Sequence, residues 1–272
     1  MPRGKKITSE QVEVIKKYAM IKTTHEIAAL TGLTSGGVGN FLRKNNIPRK
    51  GQINSFDESF FEKIEREEQA YWLGFLYADG YVKKTRSKDQ QCFGITLSAR
   101  DKEHLEKFKV SLSASHPIKI YSRLGKKDYC RIEFYNDKVS GDLIRLGCVE
   151  NKTLILDFPS GEQVPKELIN HFLRGYFDGD GCLSFWQKEK SSYLKFSFSV
   201  LGTQEFLKGF QKTLKMSFQF SQRFPERKKN NYTLSICGNQ QIIKVCDFLY
   251  RDATIYLERK YEKYVLLKNK YG

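Results

Sequence analysis

Long apolar runs are missing from this 272-residue chain. No stretch approaches the roughly 18 consecutive apolar residues that a bilayer-spanning helix needs. The segment MPRGKKITSEQ also lacks the apolar core of a secretory leader. Both absences point to an intracellular protein with no membrane partner. Paired cysteines are missing too. Cys92, Cys130, Cys148, Cys182, Cys237 and Cys246 are scattered, with no C-x-x-C among them. They read as reduced, mostly buried thiols and argue against a structural zinc site. Histidine is scarce: the four present are isolated, so His-based catalysis has nothing to build on. Acids are outnumbered, 31 against 47 Lys and Arg, for a net charge of +16. A basic excess of this size is a physical argument for a polyanionic partner, most simply nucleic acid.

What is present starts with a small helical unit over residues 8–47. Val12, Ile15 and Ala19 fall at helical spacing. Thr24 can cap a second helix carrying Ile27, Ala28 and Leu30, and Gly32 permits a tight turn. Val38, Phe41 and Leu42 form the apolar face of a third helix. The spacing Ala28, Gly32, Val38 is that of a DNA-binding helix-turn-helix, against the blander alternative of a plain three-helix bundle. Ser35, Asn40 and Arg43 are its candidate DNA contacts. Gly36, Gly37 and Gly39 each cost about 1 kcal/mol there relative to Ala, which predicts a helix that is short or orders only on DNA. The polar stretch PRKGQINSFDE marks a boundary. The expected organisation is a helix-turn-helix domain (1–49), a linker (50–58), a first repeat (59–155), a second linker (156–165) and a second repeat (166–272).

From residue 59 the fold class is α+β, built of two repeats that each read α-β-β-α-β-β-α. Their strands alternate. Ile118, Ile120 and Leu124 oppose Lys119, Tyr121 and Arg123, and Cys130, Ile132 and Phe134 oppose Arg131, Glu133 and Tyr135. In the second repeat, Phe196, Phe198 and Val200 oppose Lys195, Ser197 and Ser199, and Met216, Phe218 and Phe220 oppose Ser217, Gln219 and Arg223. One face of each sheet therefore belongs to a core. The other suits phosphates and base edges, where a merely solvated face would carry more acids. Its candidate DNA contacts are Lys83, Arg86, Lys119, Tyr121, Arg123, Arg131, Lys195, Ser197, Gln219 and Arg223.

Each repeat begins with an apolar helix that stops on an acid and a glycine: AYWLGFLYADGYV ends on Asp79-Gly80, and NHFLRGYFDGDGCLSF on Asp180-Gly181. A carboxylate at a helix C-terminus faces the negative end of the helix dipole. The glycines are expected to supply the left-handed residue that ends each helix. Gly74 and Ala78 share one helix face, as do Gly175 and Gly179, so the two helices can approach closely along them. Their ends would then bring Asp79 and Asp180 together. Two close carboxylates repel unless a cation lies between them, and Mg2+ accepts a few carboxylates plus water and phosphate oxygens.

WLGFLYADG (72–80) and LRGYFDGDG (173–181) resemble the two motifs of the single-chain LAGLIDADG homing endonucleases. LGCVENKTLILDFP and RDATIYLERKYEKY resemble the family too, so the likeness runs over about residues 60–272. The resemblance implies a pseudo-twofold monomer that lays a saddle of two four-stranded sheets on double-stranded DNA. It implies Asp79 and Asp180 as the catalytic acids and metal ligands, each serving one strand, with the carbonyls of Ala78 and Gly179 as further ligands. Mg2+ is the implied cofactor, with Mn2+ substituting and Ca2+ binding without turnover. Asp178 stands where the first motif has Tyr77, which argues against essential chemistry there. The family often adds a polar and a basic residue near the metals. Thr96 and Ser199 are the polar candidates, and Lys138 and Lys195 the basic ones, undecided between them. A non-cleaving DNA-binding regulator and an RNA maturase share the fold; loss of cleavage usually replaces a motif acid, and both are present.

Overall fold

The computed structural model describes every residue except 1–6, 51–53, 86–89, 123–124, 126, 151, 188–191, 217, 219 and 223–229, and leaves the Thr153 side chain undescribed. The chain forms two units, Met1–Ser55 and Phe56–Gly272. No described helix is long and apolar enough to cross a membrane.

The first unit holds α1 (Ser9–Tyr18), α2 (Thr24–Thr31) and α3 (Ser35–Lys44). Each helix starts behind a threonine whose hydroxyl accepts a backbone N–H: Thr8 from Gln11, Thr23 from Glu26, Thr34 from Gly37. The cap of α2 is therefore Thr23 rather than Thr24, because Glu26 three residues on closes a capping box with Thr23. Gly32 ends α2 in the left-handed conformation, φ 67°, as its turn requires. Ile15, Ala19, Ile27, Ala28, Val38 and Leu42 make the core. Leu30 is 55% exposed instead, turned away by its two-residue offset from Ala28. Despite three glycines, α3 runs ten residues, so it is not short. The Thr34 cap and the burial of Val38 and Leu42 offset the glycine cost.

The second unit runs α4 (Glu67–Asp79), β1 (Gly80–Lys84), β2 (Gln91–Ser98), α5 (Lys102–Ser111), β3 (Lys119–Tyr121), β4 (Tyr129–Tyr135) and α6 (Asp137–Arg145). The same order returns in α7 (Ile169–Asp180), β5 (Gly181–Gln187), β6 (Leu194–Gly202), α8 (Gln204–Leu214), β7 (Phe220–Gln222), β8 (Tyr232–Cys237) and α9 (Asn239–Leu249). The stretch expected as one closing helix is two, α9 and the separate α10 (Glu258–Tyr271). Each repeat makes one antiparallel sheet, ordered β1-β2-β4-β3 and β5-β6-β8-β7. The registers match: Gly80 faces Ile95, which faces Ile132, and Gly181 faces Val200, which faces Leu234. Thr96 pairs with Arg131, one residue past the Gly80 register, and Ser199 lies between Cys182 and Ser235, one residue before the Gly181 register.

The inner faces of both sheets and both motif helices feed one continuous core. Phe56, expected in the linker, belongs to it and packs on Phe93 and Phe134. The alternation of β4 and β6 holds, with Cys130, Ile132, Phe134, Phe196, Phe198 and Val200 all buried. Ile120 does not follow; it is 56% exposed, on a three-residue edge strand that has a neighbour on one side only. Four cysteines are buried, while Cys182 and Cys237 stand on the outer face.

Helices α4 and α7 pack against each other through their small residues. A Cβ added at Gly74 would fall under 3.0 Å from the Phe172 carbonyl, and one at Gly175 equally close to the Tyr71 carbonyl. The contact is reciprocal, as a twofold relation between repeats requires. A Gly74→Ala or Gly175→Ala chain is expected to lose about 3 kcal/mol or more of stability, because backbone rather than a flexible side chain must yield. Urea denaturation of the two variants checks it.

Candidate functional site

The two helix ends meet at the bottom of this contact. A Cβ at Gly179 would collide with the Ala78 Cβ and lie 3.4 Å from the Asp79 nitrogen, so the Asp79 and Gly179 backbones adjoin. Gly80 and Gly181 do not take the left-handed conformation expected of them. They are extended, at φ −82° and −93°, and each is the first residue of a strand. Glycine is needed for a different reason: a Cβ would strike Leu76 at position 80 and Phe177 at position 181. The chain thus passes straight from helix to strand, and the acid is the last helical residue each time.

Asp79 keeps an exposed edge. The protein crowded around its carboxyl nevertheless pushes its pKa up, against the opposing pull of Lys260 and Lys152. Asp180 is half-buried and lines a cavity of about 150 Å³ with Tyr77, Ala78, Lys152, Tyr176 and Asn231. Burial, then Asp180 and Asp79, raise the pKa of the Tyr176 hydroxyl far above its ordinary value, so both carboxylates act on one buried phenol. That hydroxyl donates to the Leu201 carbonyl at 2.9 Å.

Two lysines that the sequence did not single out sit here. Lys152, from the segment that follows α6, is buried and donates to the Gly80 carbonyl. Lys260, from α10, is buried and donates to the carbonyls of Phe177 (2.6 Å), Asp178 (2.8 Å) and Gly181 (2.6 Å). A cation at a helix C-terminus meets the negative end of the dipole and its unpaired carbonyls. Burial lowers the Lys260 pKa to about 8, with Asp178 as its largest opposing influence. The sequence signal was modest: both lysines lie in the two closing segments that carried the family resemblance. Lys138 and Lys195, the candidates from sequence, are elsewhere. Lys138 donates to the Glu58 carbonyl and pairs with Glu62, and Lys195 lies over the Trp186 ring.

Thr96 accepts the Arg131 Nε at 3.1 Å on the outer face of the first sheet, and Ser199 is half-buried at the centre of the second. Arg131 also lies over the stacked rings of Tyr121 and Tyr129. Lys83 and Lys119 are exposed, Lys83 pairing with Glu133 at 3.4 Å, and Ser197 is half-buried beside Lys195. Glu133 is bound by the Tyr81 and Tyr135 hydroxyls, so the one acid on this strand face is held by tyrosines and a lysine. Arg86, Arg123, Gln219 and Arg223 lie outside the described residues. In the first unit, Asn40 accepts from Arg43 at 3.0 Å, and Ser35 ties α3 to Thr24. These three residues line an open cleft with Gly36, Gly39 and Arg49.

The family model described as LAGLIDADG-like domain matches residues 167–249. The second repeat is similar to this family over those residues. The first repeat has its element order, its sheet order and its terminal acid. A curated protein similar to this chain is a probable translation initiation factor IF-2 of Methanocaldococcus jannaschii, 25% identical over 184 residues. The match takes in 63% of this chain and spans only 14% of that protein's length. Solved structures similar to it include the LAGLIDADG homing endonuclease I-GzeII in complex with its DNA target, at 17% identity and TM-score 0.49, over 76% of this chain and 89% of that one. The LAGLIDADG meganuclease I-AabMI bound to uncleaved DNA gives 15% and 0.47, over 74% and 91%.

Above the site, α4 and α7 bury a polar chain. His104 contacts the Tyr71 hydroxyl at 2.9 Å, and that hydroxyl donates to Asp178 at 2.7 Å. With the Tyr71 proton directed at Asp178, the His104 Nε2 takes the donor role toward the Tyr71 oxygen. Burial pushes its pKa from 6.5 down to about 3. The unfolded chain therefore binds the extra proton between these values, and stability falls as pH drops through that window. This group contributes a slope of up to about 1.4 kcal/mol per pH unit. Urea unfolding between about pH 4 and 6 should show a shallower slope in His104→Gln than in the wild type, if the imidazole is the titrating group.

Proposed function

We propose that this chain is a site-specific DNA endonuclease of the homing type, making a double-strand break by metal-assisted phosphodiester hydrolysis. The observation that carries the reading is the meeting of the Asp79 and Asp180 helix ends, each backed by a buried lysine, below two sheets with polar outer faces. A repeated acid in one place is explained by a substrate with two like halves, and duplex DNA has two antiparallel strands.

The residues fit a hard divalent cation. Asp79, Asp180 and the carbonyls of Ala78 and Gly179 are all oxygen donors, at the negative ends of two helices. Among the described residues no group of three or more His, Cys, Asp or Glu forms. Such a site suits Mg2+, which completes its shell with water and phosphate oxygens. Bound there, it would lower the pKa of the attacking water and stabilise the departing 3′ oxygen.

The protein's own groups divide the remaining work. Lys152 and Lys260 place positive charge beside the acids, where negative charge builds up on the phosphate in the transition state. Arg131, Lys83, Lys119, Lys195 and Ser197 offer phosphate and base-edge contacts along the outer faces. Arg131 is the best placed for a base, since Thr96 and two tyrosine rings already hold its guanidinium. Ser35, Asn40 and Arg43 add a second, separate DNA contact on α3.

Incubating the protein with a randomised duplex library and Mg2+ should yield a selected double-strand product. Asp79→Asn and Asp180→Asn should each abolish that product while leaving duplex binding within a few-fold. Binding without cutting by the wild type would make the chain a regulator, and preference for intron RNA a maturase. Removing residues 1–55 should weaken binding, steepest at raised salt, yet leave cutting at saturating protein. Loss of cutting at saturation would count against separate roles.

A further inference from the structure

Asp178 is the one acid buried inside the paired helices, two residues before the Asp180 that ends α7. Its Oδ2 accepts the Tyr71 hydroxyl at 2.7 Å and the Leu257 N–H at 2.8 Å, while Oδ1 has no hydrogen-bond partner. Tyr71 belongs to α4, and Leu257 is the residue that caps the start of α10. One turn earlier on α7, the buried Arg174 donates to the carbonyls of Ile255 (2.8 Å) and Leu249 (2.9 Å) and to Glu67 (2.6 Å). Glu67, at the start of α4, also accepts the backbone N–H groups of Thr254 and Ile255. The segment leading into α10 is thus fixed by buried charges on both motif helices. Three residues into α10 comes Lys260, whose ammonium closes the end of α7.

The first repeat has no such arrangement. Tyr77 occupies the position equivalent to Asp178, and its hydroxyl donates to the Leu146 carbonyl. Lys152 lies on a single 3-10 turn and is held by the Gly80 carbonyl. A buried carboxylate is expensive unless its surroundings use it. A packing role alone would be met by tyrosine, as in the first repeat.

We propose that Asp178 is a positioning residue for one half of the active site only: it fixes the start of α10 and so sets the Lys260 ammonium on the carbonyls at the end of α7, while the Lys152 half does without it. This rests on the endonuclease reading. The two halves are then unequal, and the loss of Asp178 converts a double-strand cutter into a nicking enzyme.

The test follows each strand of one selected duplex, labelled at either 5′ end, with Mg2+. Lys260→Met identifies the strand that depends on this half. Asp178→Asn, which keeps the shape and removes the charge, should slow the same strand by about 10- to 100-fold and the other by no more than about threefold. Tyr71→Phe, which keeps the ring in its packing and removes one bond to Asp178, should show the same strand preference to a smaller degree, and serves should Asp178→Asn not fold. Equal slowing of both strands would overturn the proposal and leave Asp178 as an interface residue. A wild-type protein that cuts neither strand of any duplex overturns the endonuclease reading, and the proposal with it.

Discussion

At Gly74 and Gly175 two helix backbones come so near that neither position has room for a methyl group. The rest of the second unit follows from that approach. It aligns α4 and α7 over their whole lengths, so their last residues arrive side by side. It places one strand start, and hence one sheet, on either side. It also buries polar groups between the helices, where Tyr71 bonds Asp178 and Arg174 bonds Glu67. The same nearness that merges two cores into one brings two carboxylates and two lysines to one place.

Electrostatics at the helix ends then balances what packing has assembled. Each motif helix ends in a carboxylate, unfavourable against its dipole. Lys152 and Lys260 sit on carbonyls at or just beyond those ends and supply the compensating charge. The arrangement is not symmetric in detail. Four backbone carbonyls are within reach of Lys260 and one is bonded by Lys152. Duplication gave the chain a symmetric frame, and separate sequence in each half has filled it differently.

The frame was legible because it is written in local periodicity. Alternation in YCRIEFY and LKFSFSV marked β4 and β6, and the small residues of the two motifs marked the helix contact. The order of elements in both repeats followed. Features decided by distant partners were not legible. Gly80 and Gly181 looked like left-handed stops, yet crowding by Leu76 and Phe177 is what demands glycine, in an extended chain. Lys152 and Lys260 looked like two of many surface lysines, since nothing local says that a lysine will be buried on another helix's carbonyls. Asp178 was set aside as chemically idle; its partners Tyr71 and Leu257 lie in two other elements. Thr23 and Thr24 could each have capped α2, and only the capping-box spacing to Glu26 separates them.

Glu67 and Thr254 stand near opposite ends of the second unit in sequence and touch in space. A ribosome makes them in order, and domains fold as their parts emerge. The first sheet, both motif helices and both acids precede the segment that carries Lys260 in the chain. Helix α10 therefore brings Lys260 to the site from sequence made after both acids.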